Sequence, residues 1–185
     1  MQRPTLPALV VLILGLALSS LAWTPWGAIY GSARDERSVG DQATDKQISL
    51  SIKADLADKD SGLALKVHVY CFLKHVYLVG AIDDTAFRAF AVKTAKGTKD
   101  VAKVTTYFVA ESDTTSADLE LAAKVRTALI GNGDLSSTQI EQEAMNGEVV
   151  LLGMVRSKAD AALAVKTAKG VEGVRKVTSF LIPTK

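Results

Sequence analysis

Apolar residues recur every four positions at Ile48, Ile52 and Leu56, and again at Leu121, Val125 and Leu129. That spacing places them along one side of a helix and predicts helices over residues 45–57 and 117–130. Asp45 stands where an N-cap belongs. Gly131-Asn132-Gly133 suits the end of the second helix, because glycine accepts the left-handed terminal conformation. The period then changes to two, which predicts strands over residues 65–72 and 75–82 joined as a hairpin. In the second half the turn is Asn146-Gly147, a strong type I′ signal. The first half has Leu73-Lys74 there, which lacks this chemistry, so that hairpin is expected to rely on the surrounding sheet. Alanine-rich helices are predicted over 84–96 and 158–169. Gly97 and Gly170 read as their C′ residues. A final strand is predicted over 103–109 and 176–182.

Both sets of elements are copies of one pattern. AVKTAKGTKDVAKVTTYFV at 91–109 recurs as AVKTAKGVEGVRKVTSFLI at 164–182, with eleven of nineteen positions identical at an offset of 73. The same offset pairs YLVGAI at 77–82 with VLLGMV at 150–155, so one register relates the halves without a gap. Internal repeats outrank any residue-level reading. Each copy reads α-β-β-α-β. The β-α-β part forces a crossover, hence a parallel pair and a three-stranded mixed sheet. The fold class is α+β, with two tandem modules at 45–109 and 117–182. A polar linker, residues 110–116, joins them, and a lead-in, residues 31–44, precedes them.

The faces of the expected sheet differ. Val67, Val69, Cys71, Val76, Leu78, Ile82, Thr106 and Phe108 fall on the side of the helices. The opposite face carries Tyr70, Phe72, Tyr77, Val79, Tyr107 and Val109, with Val150, Leu152, Phe180 and Ile182 in the second copy. A second apolar face on so small a sheet predicts docking between the copies or onto a partner, with Tyr70, Tyr77 and Tyr107 as interface candidates. Gly80 and Gly153 share one strand position, where a bulge or a close backbone approach to the helix explains glycine.

No charged residue occurs from Pro4 to Ala33, and LPALVVLILGLAL at 6–18 is almost wholly aliphatic. A basic start, an apolar run and then small residues form a signal sequence, with Ser20-Leu21-Ala22 as a cleavage site. An uncleaved membrane anchor over residues 1–30 is the other reading, with Trp23, Trp26 and Tyr30 at the lipid boundary and Pro25 against one unbroken helix. Both readings export the remainder to the periplasm. The only cysteine is Cys71, so no internal disulfide forms, and no thiol near the apolar run can carry a lipid.

With 22 basic and 20 acidic residues the chain is too balanced for a general nucleic-acid binder. Reactive groups are sparse. His68 and His75 share a face by parity, but two ligands without a neighbouring carboxylate make a poor metal site, so neither metal nor cofactor is expected. Cys71 reads as a small core residue and Asp83-Asp84 as helix caps. No glycine-rich phosphate loop is present. The pattern is that of a binding module and not an enzyme.

Two surfaces suit an anionic partner. Lys93, Lys96, Lys99 and Lys103 gather in the first copy, and Lys166, Lys169, Arg175 and Lys176 in the second. Lysines there also complement a helix dipole. The helix at 117–130 carries Leu119 and Ile130 at its ends with Lys124 and Arg126 between, a mixture suited to shallow insertion at an anionic interface.

The repeat, the element order and the second-strand glycine resemble the BON domain family. VYLVGAIDD at 76–84 and VVLLGMV at 149–155 carry the likeness, as do AKGTKDVAKV at 95–104 and AKGVEGVRKV at 168–177. RSVGDQATDKQI at 37–48 is similar to the lead-in of dual-BON envelope lipoproteins of Gram-negative bacteria. The resemblance implies a non-enzymatic protein that supports outer-membrane integrity. It also implies binding to anionic phospholipid, chiefly phosphatidylglycerol, through the first helix of the second domain. Carried onto this chain, the candidate lipid-binding residues are Leu119, Lys124, Arg126, Thr127 and Ile130. Glu120 stands where that family helix has a tryptophan, and the lipid-attachment cysteine is absent. Soluble periplasmic dual-BON proteins of the osmotic-stress type are also similar. They supply the alternative: a stress or chaperone-like protein binding polypeptides or another envelope component through the tyrosine face.

Overall fold

The computed structural model describes residues 39–135 and 139–185. The expected export segment and the lead-in up to residue 38 lie outside the described residues. The first helix, α1, spans Val39–Lys59 and so begins before the predicted 45–57. Asp45 therefore lies inside the helix, and it is buried. It is not an N-cap. Asp60 ends α1 and accepts from the Leu63 amide at 2.9 Å, starting a short helix α2, Ser61–Ala64. The amides of Lys66 and Val67 then bond back to Leu63 and Ala64 at 3.1 and 3.3 Å. Those donors are lost to any sheet ladder, so strand β1 is His68–Phe72 rather than 65–72.

Strand β2, His75–Ala81, pairs antiparallel with β1. Helix α3, Thr85–Gly97, is capped by Asp84, whose carboxylate accepts from the Phe87 amide at 2.7 Å. Strand β3, Lys103–Val109, returns parallel to β2. The second module repeats this with α4 (Thr115–Gly131), β4 (Ile140–Met145), β5 (Glu148–Val155), α5 (Lys158–Lys169) and β6 (Lys176–Pro183). Each sheet is three-stranded and mixed, ordered β1-β2-β3 and β4-β5-β6.

The hairpins reveal what Asp45 does. Leu73 and Lys74 both take positive φ, 52° and 63°, the same turn as Asn146 and Gly147 at 54° and 69°. The Asp45 carboxylate accepts from the Leu73 and Lys74 amides at 2.8 Å each. Asp118, one repeat later, accepts from the Asn146 and Gly147 amides at 2.9 and 3.1 Å. The first hairpin is thus held by a helix carboxylate, and not by the sheet alone.

The helix ends also differ from expectation. Gly97 lies within the last turn of α3, and Gly170 caps α5 at φ −77°. Neither is left-handed. The Gly170 amide closes onto Lys166 and Thr167 in the right-handed sense at 3.2 and 3.1 Å. The left-handed residues come three positions later, at Asp100 and Gly173, with φ of 67° and 94°.

Each module buries its own core between helices and sheet. Ile48, Ile52 and Leu56 meet Val76, Leu78, Ile82 and Phe87 in the first. Leu121, Val125 and Leu129 meet Val149, Leu151 and Ala164 in the second. A third core joins the outer faces of the two sheets: Phe72, Tyr77 and Val79 pack with Met145, Val150 and Leu152, flanked by Tyr70, Tyr107, Phe180 and Ile182. The result is a helix–sheet–sheet–helix sandwich. Gly80 and Gly153 do mark close backbone approaches, but to the chain entering β1 and β4, at Lys66 and Gln139, and not to a helix.

Candidate functional site

The register carried by the repeat becomes symmetry in space. The Tyr70 hydroxyl donates to Glu143, its counterpart one repeat on. The ring of Tyr107 lies 6.3 Å from that of Phe180, again its counterpart. Residues that touch their own equivalents sit beside a two-fold axis, so a pseudo-two-fold axis runs through both contacts in the plane between the sheets.

Polar groups close this interface. Glu143 accepts from Tyr70 and pairs with His68 at 3.0 Å. Burial pushes its carboxyl up, but the His68 and Tyr70 hydrogen bonds and the Lys53 charge outweigh that and hold it below the usual range. Burial and the Glu143 charge push the Tyr70 phenol far above its ordinary value. Tyr77 stacks on His75 with ring centres 4.1 Å apart. Tyr107 donates to Glu148 and accepts from Lys176 Nζ at 3.1 Å. The three tyrosines thus lie within the chain's own interface, and the face proposed for polypeptide binding is covered.

The histidines do not come together. His68 pairs in register with Val79, whereas His75 pairs with Phe72 at the far end of the hairpin. His75 bonds Thr105 at 2.7 Å, and burial followed by the Lys103 charge lowers its pKa. Among the described residues no group of three His, Cys, Asp or Glu side chains gathers as a metal site. Cys71 is buried, with Sγ donating to Asp45 at 3.3 Å.

The outward side of α4 is the surface with binding character. Leu121, Val125 and Leu129 point into the core, so successive 100° steps bring Leu119, Ala123, Arg126, Thr127 and Ile130 into one outward stripe. Leu119 is 69% exposed and Ile130 59%. Arg126 is exposed between them and makes no ion pair with the described residues. Lys124 falls on the flank, paired with Glu120 at 2.7 Å, and each holds the other in its charged form. Thr127 turns its hydroxyl back to the Ala123 carbonyl at 2.9 Å. Of the basic clusters, Lys176 and Arg175 serve the second module's own interface and turn. Lys93 and Lys96 line a shallow groove of about 500 Å³ with Arg88 and Phe108.

Sequence reasoning missed a cleft of about 820 Å³ between α1 and the end of α3, lined by Ile48, Ser51, Asp55, Phe90 and Thr94. It also missed the aspartate clamps. Their signal was available, since an aspartate stands at the same register position in both copies.

Two α/β modules are fused through a shared apolar core, and helix α4 presents an exposed apolar and basic stripe. The chain belongs to the BON domain family, which matches residues 44–111 and 117–182. The family is non-catalytic. Osmotically-inducible protein Y of Escherichia coli (strain K12) is 44% identical over 64 residues, covering 35% of this chain. That match spans only 32% of the relative's own length. Outer membrane lipoprotein DolP of Haemophilus influenzae is 26% identical over 152 residues, covering 78% of this chain and 77% of that protein. Among solved structures, the C-terminal domain of CdsD, the structural protein of the type III secretion system of Chlamydia trachomatis, is 13% identical. The match covers 76% of this chain and 67% of that one, with a TM-score of 0.31. Among the described residues, no helix is long and apolar enough to cross a membrane.

Proposed function

We propose that this chain is an exported envelope protein that docks on anionic phospholipid through α4 and thereby supports outer-membrane integrity. The observation that carries this reading is the stripe Leu119–Arg126–Ile130: two large apolar side chains held in water on either side of a cation that has no ion pair among the described residues. Such a stripe gains by placing its aliphatic groups at the lipid headgroup boundary and its cation beside phosphate. The relative named as an outer-membrane lipoprotein supports the location.

The test is co-sedimentation of the full chain with phosphatidylglycerol vesicles against phosphatidylcholine vesicles at low salt. The apolar N-terminal segment is present in every arm, so the difference between lipids is the readout. Preferential retention on phosphatidylglycerol is expected. Ile130→Glu removes an apolar anchor and adds repulsion, and should weaken that retention about tenfold with the fold intact. Equal retention on both lipids would overturn the reading. It would favour the alternative, a periplasmic osmotic-stress protein, to which the likeness to Osmotically-inducible protein Y points.

A further inference from the structure

The pseudo-two-fold axis gives α4 a counterpart. One repeat earlier than Leu119, Ala123, Arg126 and Ile130 stand Lys46, Leu50, Lys53 and Ala57 on α1. All four are exposed, and Leu50 is 53% exposed. This is again one helical stripe, with the cation kept at Lys53 and Arg126 and a second cation, Lys46, standing where α4 has Leu119.

The axis also fixes where the two stripes lie. It emerges beside the Tyr70–Glu143 contact, where β1 and β4 form the corresponding edges of their sheets. Helix α1 packs on β1, and α4 packs on β4. Both first helices therefore border the same end of the sandwich. Two observations turn their stripes toward that end. Leu119 and Ala122 of α4 line one groove with Leu65 and His68 of the first module. Lys53 of α1 acts electrostatically on Glu143 of the second. Leu65, 83% exposed, adds a further apolar side chain to that groove.

We infer that α1 supplies the second half of a bipartite footprint for an anionic bilayer, with Lys46, Leu50 and Lys53 contacting the same membrane that α4 contacts. Charge complementarity selects the occupant, since the α1 stripe carries two cations and no acid. The inference rests on the reading of α4 as a lipid-facing helix. Because the shared core holds both helices on one scaffold, the second contact forms without a second loss of translational freedom, and the two affinities multiply.

The experiment compares the full-chain wild type with Leu50→Glu, the pair Lys46→Gln with Lys53→Gln, and Ile130→Glu. Retention is measured on phosphatidylglycerol and on phosphatidylcholine vesicles. Lys96→Gln, on α3 and away from both stripes, is the control. Each stripe cation removed should cost about fivefold in retention on phosphatidylglycerol. Leu50→Glu should cost at least as much, and Lys96→Gln close to nothing. Unaltered circular dichroism and melting temperature would show that these exposed sites leave the fold alone. If Ile130→Glu weakens binding but the α1 variants do not, the bipartite footprint is overturned while the α4 reading stands. If Lys96→Gln costs as much as the α1 variants, attraction is diffuse and the footprint is again overturned. If the wild type shows no preference for phosphatidylglycerol, the α4 reading falls and takes this inference with it.

Discussion

A carbonyl oxygen stands 2.0 Å from where a Cβ would sit on Gly80, and another stands 2.0 Å from the same point on Gly153. Both belong to backbone, at Lys66 and Gln139, and so cannot swing aside. Gly153 adds a φ of +119°, which side chains disfavour. Gly97 is the opposite case: it is helical, and a Cβ there meets nothing within 4 Å. Alanine is therefore expected to act with opposite sign at the two kinds of site. Gly80→Ala should destabilise by about 3 kcal/mol, because two backbone segments must part. Gly97→Ala should stabilise by about 0.5–1 kcal/mol, because it trims the freedom of the unfolded chain at no steric cost. Urea denaturation of both variants checks the pair; a loss at Gly97 or tolerance at Gly80 would contradict it. Sequence alone marked both glycines but separated neither by mechanism, since a neighbour's carbonyl leaves no trace in the local pattern.

At the scale of elements, the hydrophobic periods at Ile48, Ile52 and Leu56 and along the strands carried the order of elements, because burial on one face leaves a period in the chain. The start of β1 was not legible. It is decided by the turn after Asp60, which diverts the Lys66 and Val67 amides away from the ladder. Asp45 was misread for a related reason: an aspartate near a helix start has the composition of a cap, whichever amides it binds. Its true partners sit 28 and 29 residues on, in a turn whose own sequence argues against the conformation it takes. Left-handed backbone costs roughly 1–2 kcal/mol per ordinary residue, and Asp45 offsets it with two charge-assisted hydrogen bonds. Asp45→Ala should therefore destabilise by about 3 kcal/mol, leaving two amides and the Cys71 thiol without this acceptor. Installing the second module's turn, Leu73→Asn with Lys74→Gly, should stabilise by about 1–2 kcal/mol and shrink the cost of Asp45→Ala. A double-mutant cycle read by thermal melting measures that coupling, and strict additivity would show the carboxylate does not serve the turn.

For the whole molecule, strand parity exposed an apolar outer face, but nothing local states what covers it; the covering face proves to be its own repeat. Symmetry then brings Glu143 onto Tyr70, with His68 from the same strand and Lys53 from α1 facing it and Glu141 nearby. Its carboxyl titrates below 4.5 when folded, so docking contributes most above that value. As pH falls below 4.5 toward the lowered folded value, the unfolded chain takes up the proton first, and the stabilisation drains away. Asp118, also lowered because the Thr114, Asn146 and Gly147 donors and the Arg175 charge outweigh its burial, drains at lower pH, below 3.8, and inside one module. Glu143→Gln keeps the shape and an acceptor for Tyr70 while removing the charge. It should lower stability at pH 7 by about 1–2 kcal/mol and flatten, without abolishing, the loss as pH falls below 4.5. Three of the four tyrosines line this interface, so tyrosine near-ultraviolet circular dichroism reports on it directly. If the modules part before they unfold, that signal should fall ahead of the helical signal on acidification, and Glu143→Gln should narrow the gap. An acid slope identical in wild type and variant would show that the contact between the two copies does not depend on this carboxylate.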